Sequence, residues 1–240
     1  DVGDLREGVL PENIIKFVDK IKDLSGIRIR GLGTNVGCYG GVLPTANNTS
    51  ILLKLKGKIR KKFDLNLDII SGGNTATTIL FQNDRMPAGV NNLRVGEAIL
   101  QGTDITNQRR IDYLKQDNFT ITAEIIELKQ KPSVPSGKLG SNAFGEKPQF
   151  KDRGLRKRAI LALGKQDIRI KGLTPRQEGI EIMGASSDHL LVDVTAVGTG
   201  INREKDNADR LEVGDKLDFR LDYGAMLAAM TSKYVHKNYI

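Results

Sequence analysis

The chain has 240 residues, of which 39% are hydrophobic, enough for one or two domains with sizeable cores. Its apolar runs are shorter than the roughly 18 residues that a membrane span needs, and its one cysteine, Cys38, cannot form an internal disulfide, so the cytoplasm is the expected compartment. The net charge is +8, but aromatic residues make up only 5% and do not interleave with the basic ones, which argues against nucleic-acid binding.

The first hundred residues alternate between predicted helices, in which apolar residues recur at helical spacing, and short apolar runs typical of strands. The predicted helices lie at residues 11–22, 45–63, 75–81 and 97–100, and the predicted strands at residues 27–34, 65–70 and 92–95. Residues 1–4 have the pattern of the end of a further strand, whose earlier part we expect to precede Asp1.

Four βα units in a row predict parallel strands with helical crossovers, either as an open doubly wound sheet or as half of a (β/α)8 barrel. The barrel is favoured because polar side chains follow the end of every strand, where the sites of such barrels gather. These residues are Asp4, Arg6, Asn35, Asn74 and Arg94. Since half a barrel has two open edges, we expect residues 1–116 to be the second half of a barrel whose first half is absent from this chain.

The pattern changes near residue 117, where helical spacing gives way to short alternating runs separated by turn residues. The predicted strands lie at residues 119–128, 158–163, 180–183, 189–194 and 216–222, and a loop rich in Pro, Ser and Gly at residues 132–148. Residues 117–240 are therefore predicted to form an all-β domain.

Two predicted strand ends open directly onto the start of a helix. Residues 71–75 read Ser-Gly-Gly-Asn-Thr, and residues 93–97 read Leu-Arg-Val-Gly-Glu. Free backbone N–H groups at the start of a helix bind anions, and glycine allows the backbone to approach the anion closely. Two such ends on neighbouring strands could hold one phosphate from two sides, so the sequence predicts the phosphate site of a cofactor.

Six segments, taken in order, resemble the pyridoxal-phosphate racemases of fold type III, the alanine racemase superfamily. They are residues 1–8, 33–35, 71–75, 93–97, 162–167 and 184–193, and the resemblance covers essentially the whole chain. Within the superfamily, the pattern is most similar to racemases of ornithine. The resemblance implies the C-terminal half of a TIM-like barrel followed by a β-domain, with pyridoxal 5'-phosphate as cofactor. It also implies a homodimer that interconverts the L- and D-forms of ornithine or a similar basic amino acid.

The same resemblance implies which residues bind the cofactor. Asn74, Thr75 and Gly96 match phosphate ligands, as does Tyr223, for which a core aromatic residue is the alternative. Asn35 stands where alanine racemases carry a histidine packed against the ring. The full set expected at the cofactor is Asn35, Ser71, Asn74, Thr75, Arg94, Gly96, Glu97 and Tyr223.

Arg94 matches the arginine that faces the pyridine nitrogen in this superfamily. A guanidinium keeps its proton at any working pH, so it cannot protonate that nitrogen as a carboxylic acid could. The ring is then a weaker electron sink, which suits removal and return of an α-proton and restrains transamination. A surface ion pair is the alternative role for Arg94.

Racemisation needs a base on each face of the α-carbon. In relatives one base is the lysine that carries the cofactor, and it lies in the part of the barrel that this chain does not contain, so we expect the chain alone to be inactive. The other base is a tyrosine of the β-domain in alanine racemases. Lys165 is the nearest candidate at the matching segment, with a solvated loop lysine as the alternative.

A basic substrate also needs partners for its distal ammonium. Asp167 and Asp188 are the predicted carboxylates, with Glu97 as a further candidate, and Arg6 matches an arginine near the substrate in relatives. A turn carboxylate is the alternative for Asp188, and a local salt bridge is the alternative for Arg6.

Two other classes of protein remain as alternatives, and one of them is a module that uses its positive charge to bind nucleic acid. A non-catalytic pyridoxal-phosphate-binding protein would resemble the barrel alone, and the all-β segment speaks against it. No metal site is expected, because the two histidines and Cys38 show no metal-ligand spacing.

Overall fold

The computed structural model describes residues 1–198 and 211–239. The chain forms two compact units, Asp1–Gln116 and Asp117–Ile240. Within the described residues, no helix combines the length and the apolar character that crossing a membrane would require.

The first unit is built around two packed helices. A 3-10 turn at Pro11–Asn13 leads into α1 (Ile14–Ile21), and α2 spans Ala46–Phe63. The side chain of Thr45 accepts a hydrogen bond from the backbone of Asn48 and so caps the first turn of α2. The two helices bury Val18, Ile59 and Leu67 as a small core. Both predicted helices are confirmed.

Two short parallel strands lie beside these helices. β1 (Gly31–Gly33) pairs with β2 (Ile69–Ser71), and Ser71 forms a parallel bridge with Asn92. An ideal Cβ on Gly31 would lie 1.9 Å from the carbonyl oxygen of Ile69, so only glycine allows this approach. The parallel direction of this pair is as predicted, whereas the half barrel remains a prediction.

The predicted strand lengths were wrong. Pairing involves only the last residues of the runs 27–34 and 65–70, and the run 92–95 contributes one bridge. Ile27 is 54% exposed. Side chains that face solvent add little to sheet stability, because strand preference reflects packing against neighbours.

The short helices after the strands are confirmed, and a hairpin follows them that the sequence did not reveal. The elements are a 3-10 turn at Thr75–Thr77, α3 (Thr78–Gln82), α4 (Glu97–Gln101), β3 (Thr103–Asp104) and β4 (Arg109–Arg110). The last two pair antiparallel. Strands of two residues are too short to show alternation.

The hairpin is held by the buried carboxylate of Asp104, which is 0% exposed. Its Oδ2 accepts hydrogen bonds from Arg109 Nε at 2.9 Å and from Asn107 Nδ2 at 2.8 Å. Arg109 also donates to Gln82 and, at 3.1 Å, to the hydroxyl of Thr78, which ties the hairpin to α3.

The second unit contains one six-stranded antiparallel sheet in the order β7-β10-β5-β6-β9-β8. The strands are β5 (Thr120–Pro132), β6 (Leu155–Leu161), β7 (Leu173–Pro175), β8 (Glu181–Ala185), β9 (Leu190–Asp193) and β10 (Lys216–Leu221). Its core includes Ile121, Ile125, Leu161, Val192 and Phe219, each of which is 5% exposed or less. The prediction of a β-domain is confirmed, with strand ends shifted by a few residues and with one helix that was not predicted.

Three elements of this unit were not predicted, the first of which is a 3-10 turn at Ile170–Gly172. β7 has three residues and shows no period, and α5 (Tyr223–Thr231) follows β10 directly. Asp222 was assigned to the last strand, but its side chain accepts a hydrogen bond from Ala225 N at 2.8 Å and caps α5. The apolar residues of α5 are distributed over all of its faces, so the sequence has no amphipathic pattern that would predict a helix there.

The edge strand β8 is irregular. Its register against β9 shifts between Ile182 and Gly184, and Gly184 has φ of 154°. This β-bulge bends the last strand of the sheet.

We expect Arg109→Leu to lower the free energy of unfolding of the first unit by about 3–5 kcal/mol, the cost of leaving a buried charge without its partner. Arg110→Leu removes the same charge from an exposed neighbour and should change stability by less than about 0.5 kcal/mol. Urea unfolding followed by circular dichroism measures both variants. Equal midpoints for the two would contradict a structural role for the Asp104–Arg109 pair.

Candidate cofactor site

Three strand ends meet at one place in the first unit. Thr34 follows β1 and donates its backbone N–H to Ser71 O at 3.1 Å, while Gly72 donates to Asn92 O at 2.9 Å. Arg94 N donates to Gly73 O at 2.8 Å. Three of the polar residues that the sequence placed after strands, Asn35, Asn74 and Arg94, therefore lie at a single edge.

The two turns predicted to hold a phosphate are neighbours. Thr75 Oγ1 accepts a hydrogen bond from Ala98 N at 3.2 Å, which joins the turn after β2 to the start of α4. Arg94 N joins the same turns through Gly73 O. We call these turns, residues 72–75 and 94–98, the cup.

Each turn of the cup has its own geometric requirement. Gly73 has φ of 128°, and an ideal Cβ there would lie 2.6 Å from Thr77 Oγ1, so a side chain is excluded. An ideal Cβ on Gly96 would meet no atom within 4 Å. Gly96 therefore borders open space, into which a bound group could extend.

Asn74 is fixed at the mouth of the cup. Its Oδ1 accepts a hydrogen bond from Ala76 N at 2.9 Å and caps the 3-10 turn. Its Nδ2 donates to Val36 O at 2.8 Å and to Cys38 Sγ at 3.3 Å. The amide orientation is determined by these three contacts.

Arg94 spans the strand ends through neutral acceptors. Nη2 donates to Thr34 O at 2.8 Å, and Nη1 donates to the hydroxyl of Ser71. Among residues 1–198 and 211–239, no carboxylate forms an ion pair with Arg94, so the alternative of a surface ion pair finds no support.

Two buried oxygen atoms just after β1 have no hydrogen bond in the described part of the chain. They are Thr34 Oγ1 and Asn35 Oδ1. Thr34 is 6% exposed. Buried polar atoms normally have partners, so this strand end has spare capacity for a ligand or water.

Asp4 organises the loop next to the cup, a role that the sequence did not reveal. Its carboxylate is 2% exposed and accepts four backbone N–H groups of the loop 37–42 at 2.9–3.3 Å. The sequence does show a glycine-rich loop after a strand and an acidic residue earlier in the chain. Neither feature indicates that the acidic side chain binds the loop.

Glu97 points toward the hairpin. Its Oε1 accepts hydrogen bonds from Thr103 Oγ1 at 2.7 Å and from Ile105 N at 3.0 Å. Burial raises the pKa of Glu97, and these hydrogen bonds offset the effect only in part. This carboxylate connects α4 to β3, and its role at the cofactor stays a prediction.

Arg6 lies in an exposed segment and pairs with its neighbour Glu7, Nη2 to Oε1 at 2.6 Å. The hydrogen bond from Arg6 is the main cause that lowers the pKa of Glu7, and the charge of Arg94 contributes least. The local salt bridge considered from the sequence is present, and a role at the substrate stays a prediction.

The second unit contains a cavity of about 620 Å³ near the start of β5. Asp167 and Asp188, predicted for the substrate ammonium, both line it, together with Glu124. Asp167 is 6% exposed and also accepts a hydrogen bond from Gly164 N at 3.1 Å. Asp188 accepts from the hydroxyl of Ser187 at 2.9 Å, the main cause that lowers its pKa. The structure thus brings two predicted carboxylates to one cavity.

Lys165 and Tyr223 lie elsewhere in the second unit. The ammonium of Lys165 lies 3.6 Å from the ring centroid of Phe144 and 3.5 Å from Glu146 Oε2. A charged ammonium makes both contacts, whereas a base must be neutral. Tyr223 is the first residue of α5 and is 42% exposed, so it is not the core aromatic residue considered as its alternative. Both roles stay predictions.

No metal cluster accompanies these sites. Within the described ranges, no group of three or more His, Cys, Asp or Glu side chains is arranged to hold a metal ion.

Comparison with known proteins tests the resemblance predicted from the sequence. Residues 1–104 match the family described as "Alanine racemase, N-terminal domain". A lysine racemase of Thermotoga maritima is 50% identical over 239 residues, which is 100% of this chain and 64% of that protein. An ornithine racemase of Acetoanaerobium sticklandii is 43% identical over 238 residues, 99% of this chain and 65% of that protein.

Both units of the chain are thus similar to amino-acid racemases, and residues 1–104 are similar to the N-terminal domain of alanine racemase. The chain spans less than two thirds of the length of these two curated relatives. A crystal structure of alanine racemase from Bartonella henselae with covalently bound pyridoxal phosphate has the same fold, with a TM-score of 0.58 at 15% identity. That match covers 91% of this chain and 55% of the other. The family resemblance predicted from the sequence is confirmed.

The raised pKa of Glu97 gives a pH-dependent prediction. A carboxyl whose pKa is higher in the folded state destabilises the fold once pH rises above the unfolded pKa of about 4.3. Glu97→Gln keeps an acceptor for Thr103 and removes the charge, so it should raise stability at pH 7 and have no effect at about pH 3.5. Urea midpoints at both pH values measure this, with the exposed Glu12→Gln as the control. A gain at pH 3.5 equal to that at pH 7 would refute the electrostatic cause.

Proposed function

We propose that this chain is part of a pyridoxal-phosphate-dependent racemase that interconverts the L- and D-forms of basic amino acids. The observation that carries the proposal is the hydrogen bond between Thr75 Oγ1 and Ala98 N, which puts two helix starts side by side next to Arg94. Relatives that are lysine and ornithine racemases at 50% and 43% identity support the choice of substrate.

The residues of the cup fit the cofactor. Gly96 borders open space, and Thr34 and Asn35 carry buried acceptors without partners in the described residues. We propose that the phosphate binds at Asn74, Thr75 and Gly96. Backbone N–H groups at the start of a helix favour an anion there.

Arg94 would face the pyridine nitrogen. Pyridoxal phosphate, when bound, withdraws electrons from the α-carbon of an amino acid and so makes its α-proton acidic. The guanidinium keeps its charge and has no proton to give up at working pH. Since Thr34 and Ser71 hold two of its nitrogens, Arg94 has a fixed direction.

We propose the cavity of the second unit as the place where the distal ammonium of the substrate binds. Three carboxylates, Asp167, Asp188 and Glu124, line it, and a cation would find charge-assisted hydrogen bonds there. Lys216 also lines the cavity, so its lining carries charges of both signs.

The remaining parts of the proposal concern residues beyond this chain and the assembly. We propose that a first barrel half supplies the cofactor lysine, and that the second base, for which Lys165 is the candidate, comes from the β-domain of a second copy. Lys165 would have to leave Phe144 and Glu146 to act as a base. The non-catalytic alternative is less well supported, because the similarity to racemases runs through the all-β unit as well.

The substitution Gly96→Ala tests the cup. The added methyl group meets no protein atom, so stability should change by less than about 0.5 kcal/mol. If the phosphate binds there, affinity for pyridoxal phosphate should fall about tenfold, the size of an overpacking penalty. Equilibrium dialysis of the full-length protein measures the affinity.

Gly57→Ala, on an exposed part of α2 with open space around it, is the matched control for this substitution. It should leave the cofactor affinity unchanged. Unchanged affinity in Gly96→Ala as well would place the phosphate elsewhere.

The activity itself is tested with the full-length protein that contains this chain. Chiral chromatography should detect racemisation of L-ornithine and L-lysine and much slower turnover of L-alanine. Asp188→Asn should raise KM for ornithine about tenfold with little change in kcat, because it weakens a contact made equally in ground and transition states. The exposed Asp23→Asn should change neither constant. Equal use of alanine and ornithine would overturn the substrate class.

A further inference from the structure

Asp4 is a buried carboxylate without a cationic partner. Gly37 N and Val42 N donate to its Oδ1 at 2.9 and 3.3 Å, and Cys38 N and Tyr39 N donate to its Oδ2 at 3.1 and 2.9 Å. Within residues 1–198 and 211–239, it forms no ion pair. The backbone of one loop therefore satisfies both oxygens.

The charge state of this carboxylate agrees with its surroundings. Burial alone would raise the pKa of Asp4, but the hydrogen bonds from the four loop amides outweigh burial and lower the pKa below its usual value. The carboxylate is therefore charged at neutral pH.

The loop is shaped around Asp4. Gly40 N donates to Asp4 O at 3.1 Å, and an ideal Cβ on Gly40 would lie 2.8 Å from that oxygen. Gly37 and Gly41 have φ of 74° and 68°. A loop with this many glycines loses much conformational entropy on ordering, so the carboxylate is what holds it in one form.

The same loop is hydrogen-bonded to Asn74 of the cup. Val36 O and Cys38 Sγ accept the two hydrogen bonds of Asn74 Nδ2, at 2.8 and 3.3 Å. Asn35 Nδ2 also donates to Cys38 Sγ, at 2.8 Å. With Nδ2 held by the loop, Oδ1 of Asn74 faces Ala76 N and caps the turn that carries Thr75.

We propose that Asp4 is a positioning residue of the cofactor site, which acts through the loop 36–42 to fix the Asn74 amide. The inference rests on the proposed function, because Asn74 matters only if the cup binds the phosphate. In the described residues, the Asp4 carboxylate accepts its hydrogen bonds from the backbone of this loop and not from the cup. Its contribution is to keep the loop closed against Asn35 and Asn74.

The test uses Asp4→Asn in the full-length protein, with two readouts. The NH2 group of the new amide is a hydrogen-bond donor, so it cannot accept the hydrogen bonds that the loop N–H groups donate to one carboxylate oxygen. The loop should therefore open. The alkylation rate of Cys38, followed by mass spectrometry of its peptide, should rise about tenfold, because its sulfur is no longer held by two amides. Affinity for pyridoxal phosphate in equilibrium dialysis should fall about tenfold, because the turn that carries Thr75 loses the Asn74 cap that holds it in its binding geometry.

Leu67→Ala separates positioning from stability. Leu67 is buried with Val18 and Ile59 in the first unit, and its truncation destabilises that unit without touching the loop. Both Cys38 alkylation and cofactor affinity should stay within about twofold of wild type below the unfolding midpoint. Effects as large as those of Asp4→Asn would mean that Asp4 only stabilises the fold, and would overturn the inference.

Gly40→Ala is the second variant and serves if Asp4→Asn does not fold. Its methyl group presses on Asp4 O and pushes the loop away while the carboxylate remains, so both readouts should move in the same direction. Unchanged Cys38 alkylation in Asp4→Asn or Gly40→Ala overturns the inference whatever the cofactor does. Absence of cofactor binding in the wild type, with faster alkylation in the variants, instead overturns the proposed function and leaves the loop anchoring intact.

Discussion

The hydrogen bonds of Arg94 hold together the ends of three chain segments that are far apart in sequence. Its guanidinium donates to Thr34 and Ser71, and its backbone donates to Gly73. The strands before these residues are only three residues long, and the third segment contributes a single bridge. The few backbone hydrogen bonds between such short strands cannot by themselves align the two turns of the cup. A side chain with several donors in a rigid plane is suited to that task, because it contacts several acceptors at once.

The sequence predicted that these strand ends lie close together, but it did not predict the strand lengths or the contacts of Asp4. Glycines after apolar runs mark strand ends, and parallel strands bring such ends to one edge, so Asn74, Gly96 and Arg94 could be named from the sequence. Strand length could not be read, because it depends on neighbours that a run of apolar residues does not specify. The pairing of Asp4 with a loop more than thirty residues later was also invisible. Nearly every residue has a backbone N–H group, so the residue types do not indicate which of these groups will bind a carboxylate.

The second unit shows the same contrast. Alternation revealed β5 and its neighbours, because one face of the sheet is buried and the other is not. Asp167 and Asp188 were chosen separately and line one cavity, which a turn and a hairpin bring together. The contacts of Lys165 were not foreseen, since Phe144 and Glu146 belong to a loop with no periodic pattern.

The irregular strand β8 has a consequence for how copies of this protein can meet. A regular outer strand offers a row of unpaired N–H and C=O groups to any passing chain. The register shift at Ile182 and Gly184 interrupts that row on one side of the sheet, and on the other side β7 has three residues and ends in Pro175, which has no N–H to offer. Polymerisation by continuous intermolecular hydrogen bonding is thereby disfavoured at both margins, and side-chain surfaces are left as the means of association.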